Sequence, residues 1–245
     1  MSSDRSISVV APCYEEAGHL RVVVNTLLEA LAIASPADFE LILVSSLAAT
    51  DGTVQLAEEL ASGNKNLRLV LQPESDPGYG RALAMGIKAA RYGWLLLTDT
   101  DGQFDHGQLA RFTAFMDEAR AVFGFRHPRA DPLVRRATGR FYTGLVCRLL
   151  RLPRVRDLDC AFKLVHIDAM GRESLNSRTG VINAEILRRL TSRGYQVVEV
   201  PVTHFERRGG SARFELGAGA LGHFPHPLEM GSMMIDVAHL LRSGG

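Results

Sequence analysis

Cysteine is scarce in this 245-residue chain: Cys13, Cys147 and Cys160 are the only three, widely spaced and without a CxxC pair. An odd, scattered set is not a disulfide framework, so a reducing, cytoplasmic setting is expected. Long apolar runs are missing as well. Val22–Ala34 is broken by Asn25 and Glu29, and the C-terminal stretch by His, Pro, Asp and Gly, so no bilayer-spanning helix is expected. The start MSSDRSISVVAP lacks the basic residues and apolar core of a secretory signal. Net charge is almost absent, with 28 Lys+Arg against 27 Asp+Glu for a formal +1. That balance gives no reason to expect a nucleic-acid partner. The eight histidines show no metal-ligand spacing, and no Ser-His-Asp arrangement can be drawn from them. The dinucleotide fingerprint GxGxxG is absent in that form, which argues against a nicotinamide enzyme.

What is present is an alternation. Ile7–Ala11, Phe39–Ser45, Leu67–Leu71 and Trp94–Thr98 are short apolar runs that read as buried strands. Between them, Ala17–Ala34, Thr53–Ser62 and Arg81–Ala90 carry apolar residues at helical spacing. This predicts an α/β fold, a mostly parallel sheet with helices on both faces, whose ligands bind at the carboxyl ends of the strands. Further on, the pattern predicts a helix over 107–118, a strand over 121–125 and a helix over 133–150. A turn entering a strand is expected over 157–165, a helix over 183–192 and a strand over 196–202. One domain over 1–215 is expected, followed by an amphipathic extension over 216–245.

Three carboxylates crowd the loop after the fourth predicted strand, in Trp94-Leu-Leu-Leu-Thr-Asp-Thr-Asp-Gly-Gln-Phe-Asp105. Like charges so close repel, and burying them requires a cation or a proton. Oxygen ligands without Cys or His favour Mg²⁺ or Mn²⁺ over zinc, and these ions usually keep coordination positions for substrate phosphates. The plain alternative is an acidic, solvated turn. Gly78-Tyr-Gly-Arg81 opens a helix, where glycines let a backbone approach a phosphate. Arg207, Arg208 and Arg213 flank Gly209-Gly210-Ser211, a composition suited to a loop closing over a phosphorylated ligand. Between Arg126 and Arg156 lie nine arginines and one acid, Asp131. Such a field suits phosphates or an anionic membrane surface. Asp157 and Asp159 follow it, as structural ion-pair partners or as a base for an acceptor hydroxyl.

In this order, VVAPCYEE, TDGT, GYGRALAMG, TDTDGQFD, GFR, DLDCAFK, AEI and RRGGSARF resemble the family 2 glycosyltransferases of the GT-A fold. The likeness is strongest to the dolichyl-phosphate mannose synthase and polyprenyl-phosphate branch, and it runs from about Ile7 to Phe214. It implies inverting transfer of a sugar from a nucleoside diphosphate sugar to a polyprenyl phosphate or a soluble small molecule. By resemblance, Pro12, Tyr14 and Glu16 bind the nucleotide, and Asp99 and Asp101 form the DxD. Asp101 and Gln103 would hold the ion, with Asp99 nearer the nucleotide sugar. Asp157 is implied as the base, with Asp159 second. Arg207 and Arg213 match basic residues on a loop that meets the diphosphate, Arg126 matches the arginine after the strand beyond the DxD, and Ser211, Gly78, Gly80 and Arg81 are further substrate-binding candidates.

One stretch departs from the pattern. An Asp-Asp-Gly-Ser-type segment is usual after the second strand, but here Val44-Ser-Ser-Leu-Ala-Ala-Thr-Asp-Gly-Thr53 lacks those acids and has one residue more. Ser46 and Asp51 are the remaining candidates for contacting the nucleotide there. The loss also raises a second expectation, a catalytically impaired relative that binds a nucleotide or a protein. The basic segment and the amphipathic C-terminus suggest peripheral contact with the inner face of a membrane.

Overall fold

Runs that are apolar on both faces become the central strands of the sheet. The structure, a computed structural model, describes residues 5–130, 133–206 and 227–242, with backbone only at 129, 134, 135 and 227–229. β1 (Ile7–Cys13), β2 (Phe39–Ser46), β3 (Leu67–Gln72) and β4 (Trp94–Leu97) run parallel in the order β3-β2-β1-β4. Every residue of β4, and nearly every residue of β1 and β2, is buried, as a sheet covered on both faces requires. The crossovers are α1 (Leu20–Ala34), α2 (Thr53–Gly63) and α3 (Tyr79–Ala89).

The second half completes seven strands in the order β3-β2-β1-β4-β6-β5-β7, with β5 (Ala121–Arg129), β6 (Lys163–His166) and β7 (Val198–His204). β6 is antiparallel to both β4 and β5. It enters the sheet from the edge where the parallel strands end, so the turn over 157–162 lies at that edge. The hydrophobic pattern located this strand but carried no sign of its direction.

The remaining helices are α4 (Leu109–Thr113), α5 (Leu133–Leu149), α6 (Ile167–Met170), α7 (Ile182–Ser192) and α8 (Pro227–Arg242). α4 is shorter than the sequence predicts. A 3-10 turn, His106–Gln108, precedes it, and beyond Thr113 the chain tightens into i→i+3 bonds such as Phe115 N–H to Phe112 O at 3.1 Å. α6 was not anticipated.

Alternation along the strands divides the core into two layers. Val9, Ala11, Leu41, Leu43 and Leu96 face α1, α2 and α4. Val10, Ile42, Val44, Leu95 and Leu97 face α3, α5, α7 and α8. α8 is therefore part of the second layer rather than an appendage. Leu240 is buried there, with Met233 and Val237 packed against it. Among the described residues no helix is long and apolar enough to cross a membrane.

Gly86 marks the tightest helix–sheet contact. A Cβ there would overlap Val10 and approach Val44 Cγ2 to 2.9 Å. Gly86→Ala should destabilise the fold by about 1–3 kcal/mol through overpacking, read as a fall in Tm of roughly 2–4 °C per kcal/mol. A thermal melt that matches the parent would mean that β1 and α3 are not in this contact.

Candidate active site

The sheet register assembles the acids. Val10 pairs with Leu97, Leu97 with Lys163, and Lys163 with Phe123, so β1, β4, β6 and β5 share one row. Just beyond that row lie the loop from Thr98 to Asp105, the turn over 157–162, and Arg126. Thr98 N–H donates to Val10 O at 3.2 Å, and Thr100 Oγ1 donates to Pro12 O at 2.9 Å. His106 fixes the far side of the loop, its ring nitrogens reaching Thr26 Oγ1 at 3.1 Å and Thr98 Oγ1 at 3.2 Å. Burial lowers the His106 pKa to about 4, so it is a neutral brace.

Four carboxylates converge here. Asp99 is half-buried, and burial first, with neighbouring Asp101 second, raises its pKa well above the usual carboxylate range. The Tyr79 hydroxyl, Lys163 and Arg126 oppose that shift. Asp157 is gripped by Arg126 through Nε at 2.6 Å and Nη2 at 2.8 Å. Asp159 is half-buried and its charge is felt at Tyr79, Tyr142, Lys163 and Arg126. Lys163 is fully buried and donates to Leu158 O at 3.1 Å, to Asn183 Oδ1 at 2.9 Å and to Cys160 O. Burial pushes its pKa down. Asp99, Asp101, Asp157 and Asp159 thus gather around Arg126 and Lys163.

Several expectations change. Asp157 is a weaker candidate for a base than the resemblance implies, because the Arg126 guanidinium already engages both of its oxygens. Gly78 and Gly80 do not leave open space for a phosphate. A Cβ at either would collide with the carbonyl oxygens of Arg178 and Ser177, and Gly80 N–H donates to Arg178 O at 2.9 Å. These glycines serve close packing of the 176–180 loop. The residue between them, Tyr79, points its hydroxyl to Asp99, and nothing in the spacing singled it out. Arg81 pairs with Asp76 at 3.4 Å.

Asp51 accepts from Thr53 N–H at 3.0 Å, Thr53 Oγ1 at 2.6 Å and Ala17 N–H at 3.0 Å. It caps α2 and ties it to the turn after β1, so its carboxylate is engaged by the fold. Ser46 is buried and its hydroxyl accepts from Ala48 N–H at 3.3 Å. Pro12 and Tyr14 are half-buried at the end of β1, and buried Glu16 pairs with His19. Gln103 Nε2 donates to Phe205 O at 3.1 Å, clamping the acidic loop to the end of β7. Among the described residues no three His, Cys, Asp or Glu side chains form a ready-made metal cage. A carboxylate pair open to substrate phosphates is the alternative way of holding Mg²⁺-like ions, and Asp99 with Asp101 fits it. Arg207, Ser211 and Arg213 lie outside the described residues. A separate cavity of about 650 Å³ lies between α1 and residues 102–107, and of the acidic loop Gly102, Phe104 and Asp105 reach it.

Residues 8–178 match the family model for glycosyl transferase family 2. The chain belongs to that family. A relative described as an uncharacterised glycosyltransferase of Mycobacterium tuberculosis is 28% identical over 212 residues, covering 85% of this chain and 89% of the relative. An undecaprenyl-phosphate mannosyltransferase of Micrococcus luteus is 23% identical over 221 residues, covering 86% and 88%. Among solved structures, glucosyl-3-phosphoglycerate synthase of Mycobacterium tuberculosis, in complex with Mn²⁺, UDP and its product, superposes with a TM-score of 0.66. It is 19% identical, covering 98% of this chain and 79% of that one, and it shares the GT-A fold. This glycosyltransferase is an enzyme of glycosyl transfer.

Behind the glycine turn stands a relay from the last helix of this glycosyltransferase. Asp236 of α8 accepts from Arg178 N–H and Thr179 N–H at 2.9 Å each and from Thr179 Oγ1 at 2.8 Å. Arg178 O in turn receives Gly80 N–H, next to Tyr79 and hence Asp99. Asp236→Ala would strand buried donors at a cost of about 1–3 kcal/mol, whereas Asp236→Asn keeps an acceptor oxygen and should recover part of it. Equal melting temperatures for the two variants would contradict the relay.

The Asp99 shift also sets a pH dependence. A carboxyl whose folded pKa exceeds its unfolded one adds stability below the ordinary carboxylate range and loses it as pH rises through the folded value. Without metal, the Tm of the parent should therefore fall relative to that of Asp99→Asn as pH rises from the acid side towards neutrality. A slope unchanged in Asp99→Asn would mean that Asp99 ionises normally.

Proposed function

We propose that this protein is a metal-dependent, inverting glycosyltransferase that moves a sugar from a nucleoside diphosphate sugar to a polyprenyl phosphate at the inner face of a membrane. The observation that carries the reading is the convergence of Asp99, Asp101, Asp159 and the Arg126–Asp157 pair at one sheet edge. The Mn²⁺ and UDP held by glucosyl-3-phosphoglycerate synthase support the donor class and the ion. The Micrococcus luteus relative, by its name, supports the acceptor. A soluble acceptor such as a small phosphorylated metabolite is the variant of this reading that the same site accommodates.

Asp99 and Asp101 would hold Mg²⁺ or Mn²⁺, with Gln103 keeping their loop against β7. Such an ion, when bound, neutralises the charge that develops on a departing diphosphate. The chain's own groups do the rest. Tyr79 orients Asp99 by its hydrogen bond, and Lys163 holds the carbonyls of Leu158 and Cys160 so that the 157–160 turn stays at the sheet edge. Arg126 compensates Asp157, and Asp159 is the carboxylate of this turn proposed to meet the acceptor. An acceptor phosphate is already an anionic nucleophile at neutral pH and needs no base. An acceptor hydroxyl does need one, and Asp159 is then the group to take its proton.

The impaired-enzyme reading rests on a specific observation, the serines at Ser45 and Ser46 where the family pattern has acids. Both are buried. A thermal-shift panel of nucleoside diphosphates and their sugars, with and without Mn²⁺, separates the two readings. The enzyme should show a rise in Tm that needs both ligand and ion. A metal-independent rise would favour the binding module. Asp101→Ala should abolish turnover with the fold retained, while unchanged turnover would refute the ion site. Asp159→Asn should lower kcat by about 10²-fold or more for a hydroxyl acceptor and much less for a phosphate acceptor.

A further inference from the structure

α5 presents an unusual outer face. Its inner side, with Val146 and Cys147, is buried in the second core layer. On the outer side Leu133 is 77% exposed and Phe141 71%, and Leu145 and Leu149 are also exposed, at helical spacing. Arg140 and Arg148 are exposed on the same side, and the helix from Leu133 to Leu149 contains no Asp or Glu. α8 packs into the same core layer, and its Met234 and Ile235 are 71% and 70% exposed while Asp236 is turned inward. Large apolar side chains are costly to leave in water, and so many on one basic helix read as an interaction surface.

We propose that the outer face of α5, extended by that of α8, docks this protein onto an anionic lipid surface. Arginines supply attraction to the headgroups, and Phe141 and the leucines enter the interfacial layer, as in amphipathic helices that lie in a membrane plane. Charge complementarity selects this occupant over a second copy of the chain. A two-fold interface is isologous, so it would set this arginine-bearing face against itself with no carboxylate on the helix to offset the charge. A lipid surface also accepts a convex helix, whereas a protein partner would have to supply a matching groove. This inference rests on the polyprenyl-phosphate reading for its biological purpose, because α5 leads through residues 150–156 into the Asp157 turn. Docked this way, the chain presents the site to a lipid-borne acceptor.

Flotation of the full chain with phosphatidylcholine vesicles, with or without about a third phosphatidylglycerol, tests it. Binding should require the anionic lipid and fall as salt is raised from low to near-molar. The pair Arg140→Glu and Arg148→Glu should lower the partition coefficient at least about tenfold, and Phe141→Ser with Leu145→Ser should do so at any salt. Both double variants should keep the nucleotide- and Mn²⁺-dependent thermal shift of the parent, which shows that they are folded and separates this inference from the choice of donor. Failure to float, equal binding to neutral vesicles, or a parent dimer that the variants convert to monomer would overturn it. An acidic protein partner would appear as the same outcome as failure to float. If the protein floats but polyprenyl phosphate is not its acceptor, the docking stands and only the acceptor assignment falls.

Discussion

A buried ammonium organises the centre of this enzyme. Lys163 sits in the row shared by β4, β6 and β5, away from water, and donates to the backbone of the turn that carries Asp157 and Asp159. An isolated charge there would be prohibitively expensive. It is tolerable because Leu158 O, Cys160 O and Asn183 Oδ1 satisfy its donors and because acids surround it. The same acids would repel one another without Lys163 and Arg126. Each part of the cluster therefore makes the others possible.

The geometry that allows this is the reversal at β6. Parallel strands deliver their loops to one edge of a sheet, which is how residues after β1, β2 and β4 come together. β6 runs the other way, so the turn before it, not after it, reaches that edge. Acids more than fifty positions apart in the chain thus meet across one pair of neighbouring strands. The Arg126–Asp157 pair follows from the same arrangement, because β5 ends where the turn begins.

The helices on the second face join catalysis to anchoring. α3 supplies Tyr79 to Asp99, the 176–180 loop supports the glycine turn, and Asp236 of α8 holds that loop. α5 packs on the same side, with its basic, apolar surface turned outward. The surface proposed to meet lipid and the scaffold behind the acids are therefore parts of one packed layer.

How much was legible in the sequence depends on the range of the interactions. Buried strands, crossover helices and the fold class follow from apolar periodicity, which is local. The pairing of Asp99 with Asp101 is local too, because two residues' separation forces those charges together whatever surrounds them. The family resemblance extended this to Asp157, Asp159 and Arg126 as site residues. Tertiary structure decided their partners. Whether a carboxylate is a base or a salt-bridge partner depends on what stands within about 3 Å of it, and Arg126 is thirty-one positions from Asp157. Gly78 and Gly80 read as a phosphate cradle by spacing, yet the atoms facing them belong to a loop a hundred residues away. Lys163 and Tyr79 lay inside the quoted motifs, but only the fold brings Lys163 to the 157–160 turn and Tyr79 to Asp99. The sequence alone determined which charges must be neutralised, and only the folded chain decided by whom, because screening and partnership are set by distance through space and not along the backbone.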